Sequence, residues 1–193
     1  QVHVMNLTKL SANSQRMKSF EMNTAAILDL EVTVATDGWR EALVAPEEIA
    51  VRAARAAYMA VSPEFHRPSE ATLVLANDAE VRILNRDYRD EDRATNVLSF
   101  PAFNEDDIAR LPADVPLILG DVVIALETAT AEARAEAKTA ADHLSHLVVH
   151  GMLHLLGHDH ETDDEATIME RLEADALAQL GVPDPYVAAN EAA

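Results

Sequence analysis

The sequence contains no cysteine. Its absence excludes disulfide bonds and thiolate zinc sites, so any metal ion must be held by nitrogen and oxygen ligands. Basic residues are also scarce, because 15 lysines and arginines stand against 34 aspartates and glutamates, giving a net charge of −19. This charge argues against general affinity for nucleic acid, since phosphate binding normally draws on clustered lysine and arginine.

Long hydrophobic runs are missing as well. No segment approaches the roughly 20 apolar residues of a membrane span, and no signal-peptide core is visible, so we expect a cytoplasmic protein with no membrane partner. The length of 193 residues suits one domain. Residues 1–24 show few periodic apolar positions. We expect them to be a disordered extension, followed by a single metal-dependent hydrolase domain at residues 25–193.

Histidine, by contrast, is concentrated in one segment, with six of the eight histidines between positions 143 and 160. His150 and His154 are four apart on a predicted helix and project from nearly the same face, because four residues turn a helix by about 400°. Gly157 stands where a left-handed glycine would end the helix and turn the chain back. This turn brings His160 over the open side of the histidine pair.

Three histidines around zinc leave a fourth position for water, as in catalytic zinc sites. We therefore predict one zinc ion per chain, held by His150, His154 and His160. Zinc lowers the pKa of its bound water towards about 7, creating hydroxide, and polarises a phosphoryl oxygen. The alternative for a histidine on an apolar helix face is a hydrogen-bonded core residue. For His143 and His146, on the same stripe, roles beside the metal, towards substrate or in packing stay open.

The histidine spacing is similar to the metzincin peptidase signature H-E-x-x-H-x-x-G-x-x-H, with one difference. Gly151 occupies the position of the glutamate that activates water in those peptidases. Glycine inside a helix costs roughly 1 kcal/mol relative to alanine, so its presence indicates that space is needed there. We interpret that space as room beside the metal for a bulky group such as a ribose-phosphate. A metallopeptidase is disfavoured, because glycine cannot act as a base.

The apolar pattern predicts an α+β layered fold with a four-stranded sheet, about five helices in mixed order, and the metal-bearing helix packed on the sheet. The strands are expected at residues 28–34, 71–76, 97–100 and 120–124. The helices are expected at residues 46–60, after a capping box at Asn77, and at residues 128–140, 142–156 and 162–180. The acidic, proline-containing residues 102–118 are expected to form a mobile loop.

Four arginines lie within twelve positions, namely Arg82, Arg86, Arg89 and Arg93. Arginine suits phosphate because its guanidinium is planar and permanently charged. We expect a local basic edge that guides one nucleic-acid strand to the site despite the acidic net charge. The alternative for Arg89 alone is an ordinary surface residue.

Several further segments carry a family resemblance. They are Leu84-Asn-Arg-Asp-Tyr-Arg89 with Thr95-Asn-Val-Leu-Ser-Phe-Pro101, Leu119-Gly-Asp-Val-Val-Ile124, and Met169-Glu-Arg-Leu-Glu173 with Asp184-Pro-Tyr186. With the histidine motif, they resemble the YbeY family of bacterial endoribonucleases of ribosomal RNA maturation, over roughly residues 27–188. The resemblance implies a zincin-like fold with a mixed sheet. It also implies that the three histidines are the zinc ligands and that Arg89 is the family's functionally important arginine. His158 stands where the family commonly has tyrosine.

The resemblance also implies a function. It is a zinc-dependent, single-strand-specific endoribonuclease that matures the 3′ end of small-subunit ribosomal RNA and serves ribosome quality control, with Arg89 stabilising the phosphate. The implied partners are single-stranded and ribosomal RNA, small-subunit ribosomal proteins and an assembly GTPase. The alternative from another class is a ribosome-assembly binding factor with a mainly structural metal, which the acidic charge and the lack of an evident general base favour.

Overall fold

The structure is a computed structural model that describes residues 27–61, 67–103, 112 and 115–186. The expected extension at residues 1–24 and most of the acidic loop, residues 104–111 and 113–114, lie outside the described residues. The described strands are β1 (Leu28–Val34), β2 (Ser69–Ala76), β3 (Val97–Pro101) and β4 (Leu117–Ala125). The described helices are α1 (Gly38–Ala42), α2 (Pro46–Ala60), α3 (Asp78–Arg89), α4 (Leu126–Ala135), α5 (Ala140–Leu155) and α6 (Asp163–Leu180).

The four strands form one mixed sheet in the order β1-β2-β4-β3. The pairs β1–β2 and β2–β4 are parallel, whereas β3 runs antiparallel to β4 at the edge of the sheet. This arrangement confirms the predicted α+β fold with a mixed four-stranded sheet.

The sequence pattern misses one element, the short helix α1. Its five residues are too few to show an apolar period. The helix is held by Trp39, which is fully buried and donates from Nε1 to the carbonyl of Ala76 at 2.9 Å. Burial of this one aromatic side chain therefore holds α1 in place, without the periodic apolar face of a longer helix.

The boundary between α4 and α5 also differs from the expected one. Helix α4 ends at Ala135, soon before Ala137, which has a left-handed φ of 54°. Helix α5 then begins after Thr139, whose side chain accepts a hydrogen bond from the backbone N–H of Asp142 at 3.0 Å. This N-cap separates two helices that an alanine-rich sequence would otherwise run together.

Helices α2 and α5 pack on one face of the sheet, and α6 packs against these two helices, so that together they enclose the main hydrophobic core. Helix α3 packs on the other face near β3 and β4. Helix α5 is the central element, with buried apolar residues on most of its circumference, among them Leu144, Val148 and Met152. The same packing leaves one stripe of α5 free of apolar residues, and the histidines lie on it. No helix in the described ranges is long and apolar enough to cross a bilayer.

Candidate metal centre

The three predicted histidine ligands meet at the C-terminal end of α5. Gly157 adopts a left-handed φ of 88°, its N–H bonds the carbonyl of His154 at 3.1 Å, and the chain turns back after it. His160 thereby returns to the helix end, and one ring nitrogen from each of His150, His154 and His160 lies within 4.8 Å of the others. The Nε2 atoms of His150 and His154 are 3.1 Å apart. This cluster can hold a metal ion.

The donor set suits a metal that prefers imidazole nitrogen. His154 and His150 are half-buried on the helix, while His160 is exposed, so the cluster is open to one side. Burial and, to a lesser extent, the charge of the nearby His150 lower the pKa of His154. A lowered pKa favours the neutral ring, which is the form that binds a metal ion.

A buried carboxylate from α6 supports the first ligand. Glu173 is only 1% exposed, and its Oε1 lies 2.7 Å from Nδ1 of His150. A carboxylate that accepts from one ring nitrogen fixes the tautomer and leaves the other nitrogen free for a metal. In His150 the free nitrogen is Nε2, which is the atom that faces His154.

Glu173 is held by two further groups. Its Oε2 lies 2.9 Å from Nε2 of His146 and accepts a short hydrogen bond from the hydroxyl of Tyr186. Burial alone would raise the pKa of Glu173, but the hydrogen bonds from His146, His150 and Tyr186 outweigh it and lower the pKa to about 2. Burial and the adjacent Glu173 raise the pKa of Tyr186. Glu173 therefore stays ionised near neutral pH and Tyr186 stays a donor.

Sequence reasoning assigned no role to Glu173 or Tyr186. The signal for Glu173 was present, because it lies on the same face of α6 as the buried Met169, Ala176 and Leu177. A charged residue on the apolar stripe of a helix requires a buried partner. No comparable pattern marks Tyr186, which follows the last helix.

The two other histidines of α5 turn out to be carboxylate-bound. His143 is buried, with Nε2 2.9 Å from Oε2 of Glu132 on α4, and His146 contacts Glu173 as described above. Asn96, next to β3, also donates to Glu132, at 3.0 Å. His146 is therefore linked to the histidine cluster through Glu173. His143 belongs to a separate polar contact between α4 and α5.

The structure around Gly151 contradicts the interpretation of this glycine drawn from the sequence. A Cβ atom at this position would lie 2.6 Å from Cγ1 of Val122 and 3.2 Å from Oγ of Ser99. Both neighbours belong to the sheet, and Gly151 itself is buried. The idea that Gly151 leaves room beside the metal for substrate is wrong, because the sheet occupies that space. The glycine allows α5 to approach β4 closely.

The arginine cluster forms no continuous basic edge. Three of its members are exposed and paired to carboxylates: Arg82 to Asp92 at 2.7 Å, Arg86 to Asp87 at 2.8 Å and Arg93 to Glu91 at 2.6 Å. Arg89 differs, since no carboxylate within the described ranges pairs with it, and its Nη2 instead donates to the carbonyl of Ser99 at 3.3 Å. The positive charge of Arg89 is therefore left for a ligand.

Arg89 and the histidine cluster line the same cleft. The cleft has a volume of about 850 Å³. Its walls are β3 with the two residues that follow it, the end of α5, and the turn that carries His158 and His160. The structure thus brings all four residues singled out from the sequence, His150, His154, His160 and Arg89, into one open site.

The chain is similar to known proteins of one family. A family model described as Endoribonuclease YbeY matches residues 41–181. An Endoribonuclease YbeY of Azorhizobium caulinodans is 52% identical over 160 residues, which cover 82% of this chain and 96% of that protein. One from Paramagnetospirillum magneticum is 48% identical over 160 residues, with the same two coverages of 82% and 96%. One from Rhodopseudomonas palustris is 49% identical over 156 residues, covering 81% and 88%.

Proposed function

This chain belongs to the YbeY family of endoribonucleases, and from that premise we propose that it cleaves single-stranded RNA at a zinc ion held by His150, His154 and His160. The observation that carries the proposal is the shared cleft, in which three convergent imidazole nitrogens face the same space as an arginine without a carboxylate partner among the described residues. Three histidines with an open side match the ligand pattern of catalytic zinc.

Bound zinc would supply Lewis acidity and a water acidified to near-neutral pKa. The chain supplies the remaining functions. Glu173 orients the His150 ring through Nδ1, and Arg89, anchored on the Ser99 carbonyl, presents its other guanidinium N–H groups to a phosphate. A guanidinium held in place before the substrate arrives stabilises charge that develops on the phosphate in the transition state.

We further propose that the substrate is ribosomal RNA, at the 3′ end of the small-subunit RNA, and that the protein serves ribosome quality control in the cytoplasm. Small-subunit ribosomal proteins and an assembly GTPase would be its partners. Membership of the endoribonuclease family supports the RNA substrate, and the resemblance of the sequence motifs supports the rest. The acting unit would be one domain at residues 25–193.

A binding factor with a structural metal is the second candidate, and the packing of α5 argues against it. The apolar residues of α5 close the core without any contribution from the histidine cluster, which lies at the open end of the helix. Structural zinc sites, by contrast, supply folding energy themselves. We therefore expect the metal-free protein to remain folded.

The decisive experiment is cleavage of a defined single-stranded RNA by nuclease-free protein, with and without a chelator. His154→Ala protein, purified in parallel, controls for contaminating nucleases. We expect chelation to abolish cleavage, added zinc to restore it, and circular dichroism to show an unchanged fold. Loss of the fold on chelation would support the structural metal instead, and cleavage by His154→Ala protein at the full rate would reject the metal centre as the active site.

Arg89 has its own test and a matched control. Arg89→Ala should lower kcat/KM for RNA by about 10²-fold, the loss typical of one donor that stabilises transition-state charge. Arg89→Lys should restore activity only in part, because lysine lacks the planar fork. The control is Arg86→Ala, which removes an exposed arginine that is already paired to Asp87 and should change kcat/KM less than about threefold. Equal activities of the two alanine variants would make Arg89 an ordinary surface residue.

A further inference from the structure

The main chain of β3 offers a hydrogen-bond donor in the cleft. Strand β3 is the last in the sheet order, so only one of its sides pairs, with β4. The bonds that flank the strand, from Ala125 N–H to the carbonyl of Asn96 and from Ala102 N–H to the carbonyl of Leu119, are both 2.9 Å. Main-chain groups of an antiparallel strand alternate between its two sides. Even-numbered residues therefore face β4, and Val97, Ser99 and Pro101 face outwards.

Two of the three outward residues of β3 have no free N–H, and one outward carbonyl is already used. The N–H of Val97 donates to its neighbour Asn96, at 2.7 Å from Oδ1. Pro101 has no N–H to offer. The carbonyl of Ser99 is occupied by Arg89. The N–H of Ser99 is thus the outward donor of β3 for which no residue in the described ranges serves as acceptor.

These features close β3 to a strand-forming ligand. An added strand needs alternating free donors and acceptors along the edge, and proline or blocked groups at an edge prevent such pairing. A phosphate oxygen needs donors only. The single free N–H lies next to the guanidinium of Arg89, and Ser99, Arg89 and the metal-centre histidines line one cleft. The edge therefore suits a phosphate better than a peptide.

We propose that the main-chain N–H of Ser99 binds a non-bridging phosphate oxygen of the RNA, beside an N–H of Arg89 on the same phosphate; this rests on the proposed ribonuclease function. The donor is fixed before the substrate arrives, because Ser99 is 8% exposed and its Oγ donates to the carbonyl of Gly151 at 3.2 Å. A neutral, preorganised amide also recognises phosphate without adding positive charge. A protein of net charge −19 can thus hold an RNA backbone at one point.

The test replaces the Leu98–Ser99 peptide bond by an ester, which deletes the N–H. The α-hydroxy analogue of alanine is incorporated at position 99 and compared with Ser99→Ala, which lacks the same side-chain oxygen. We expect kcat/KM for single-stranded RNA to fall by roughly 10- to 100-fold, as for a lost hydrogen bond to a charged group. Binding of the same RNA by metal-free ester protein, measured by fluorescence anisotropy, should weaken too, while the melting temperature stays within a few degrees.

The ester at position 99 also weakens the carbonyl of Leu98 as a hydrogen-bond acceptor. A matched ester at Val97 controls for this effect. That ester weakens the Asn96 carbonyl, which accepts from Ala125 in the sheet, and removes an N–H bound only by the side chain of Asn96. We expect less than about a threefold loss in kcat/KM. Equal losses at the two positions, or none at Ser99, would overturn the proposal while leaving the ribonuclease function standing. A chain with native Ser99 that does not cut RNA would instead reject the proposed function itself.

Discussion

The two halves of α5 each present two histidines on one stripe, but they place them in different surroundings. In the first half, His143 and His146 contact carboxylates, on α4 and α6 respectively. In the second half, the side chains of His150 and His154 are 26% and 22% exposed and face the cleft. Both pairs lie on one stripe of α5, three residues apart in the first half and four in the second, and what differs is whether a ring nitrogen stays open to the cleft.

The ring nitrogen that each carboxylate takes sharpens the contrast. His143 and His146 give Nε2 to a carboxylate, and their Nδ1 atoms are buried without a hydrogen-bond partner in the described part of the chain. His150 gives Nδ1 instead, which leaves Nε2 towards His154. The remaining ring nitrogens of His143 and His146 are therefore buried, whereas the remaining nitrogen of His150 faces the cluster, as in a metal ligand whose other nitrogen is bound by a carboxylate.

The largest expected effect comes from replacing each histidine pair by alanine in turn. His150→Ala/His154→Ala should lose bound zinc, from about one ion per chain to less than ~0.1, since two of three ligands are gone. His143→Ala/His146→Ala should keep the zinc but unfold more easily by about 2–5 kcal/mol, because buried hydrogen bonds are removed. Elemental analysis and urea denaturation measure both quantities. Stoichiometric zinc in the first variant, or none in the second, would refute the division of α5 into two halves.

Substitutions of Gly151 test whether the second half of α5 must lie close to the sheet. An added Cβ meets Val122 at 2.6 Å. We expect Gly151→Ala to lower the free energy of unfolding by about 1–3 kcal/mol, the usual cost of overpacking a core. Gly151→Glu should fail to fold, because its carboxylate would be driven into the sheet. A folded, zinc-loaded glutamate variant would instead restore the interpretation that this position opens beside the metal.

The matched control for Gly151→Ala is Val122→Ala, which creates a cavity on the facing strand β4. Val122→Ala removes the Cγ1 atom that the new methyl would meet. Gly151→Ala/Val122→Ala should therefore be destabilised by less than the sum of the two single variants, by about 1 kcal/mol or more of coupling. Additive losses in urea denaturation would show that the clash lies elsewhere.

The clustering of His150, His154 and His160 was predictable because its information is local. The spacing from His150 to His160 specifies one helix end and one turn, and both follow from short-range rules about helix periodicity and glycine conformation. The number and approximate positions of the strands were predictable for a similar reason, since each strand is a separate apolar run. These predictions needed no knowledge of which elements are neighbours.

Other features depend on contacts between distant segments and escaped the sequence. The meaning of Gly151 depends on Val122, which approaches it only in the folded sheet. The expected basic edge failed because acidic residues nearby fold back onto three of its arginines. Glu173 lies 23 residues from His150 in sequence and reaches it only because α6 packs beside α5. Spacing shows which residues share a face, but not what that face meets.

A third contrast between the two halves of α5 lies in the carboxylates that contact its histidines. Glu173→Gln keeps the side-chain shape but replaces a charged acceptor by an amide, so His150 loses the partner that orients it. We expect zinc affinity, measured by competition with a chromophoric chelator, to fall by about 10- to 100-fold, as for other carboxylates behind histidine ligands. Glu132→Gln is the control, because Glu132 contacts His143 rather than a ligand, and its zinc affinity should change less than about threefold. Equal losses in the two glutamine variants would mean that both halves of α5 support the metal alike.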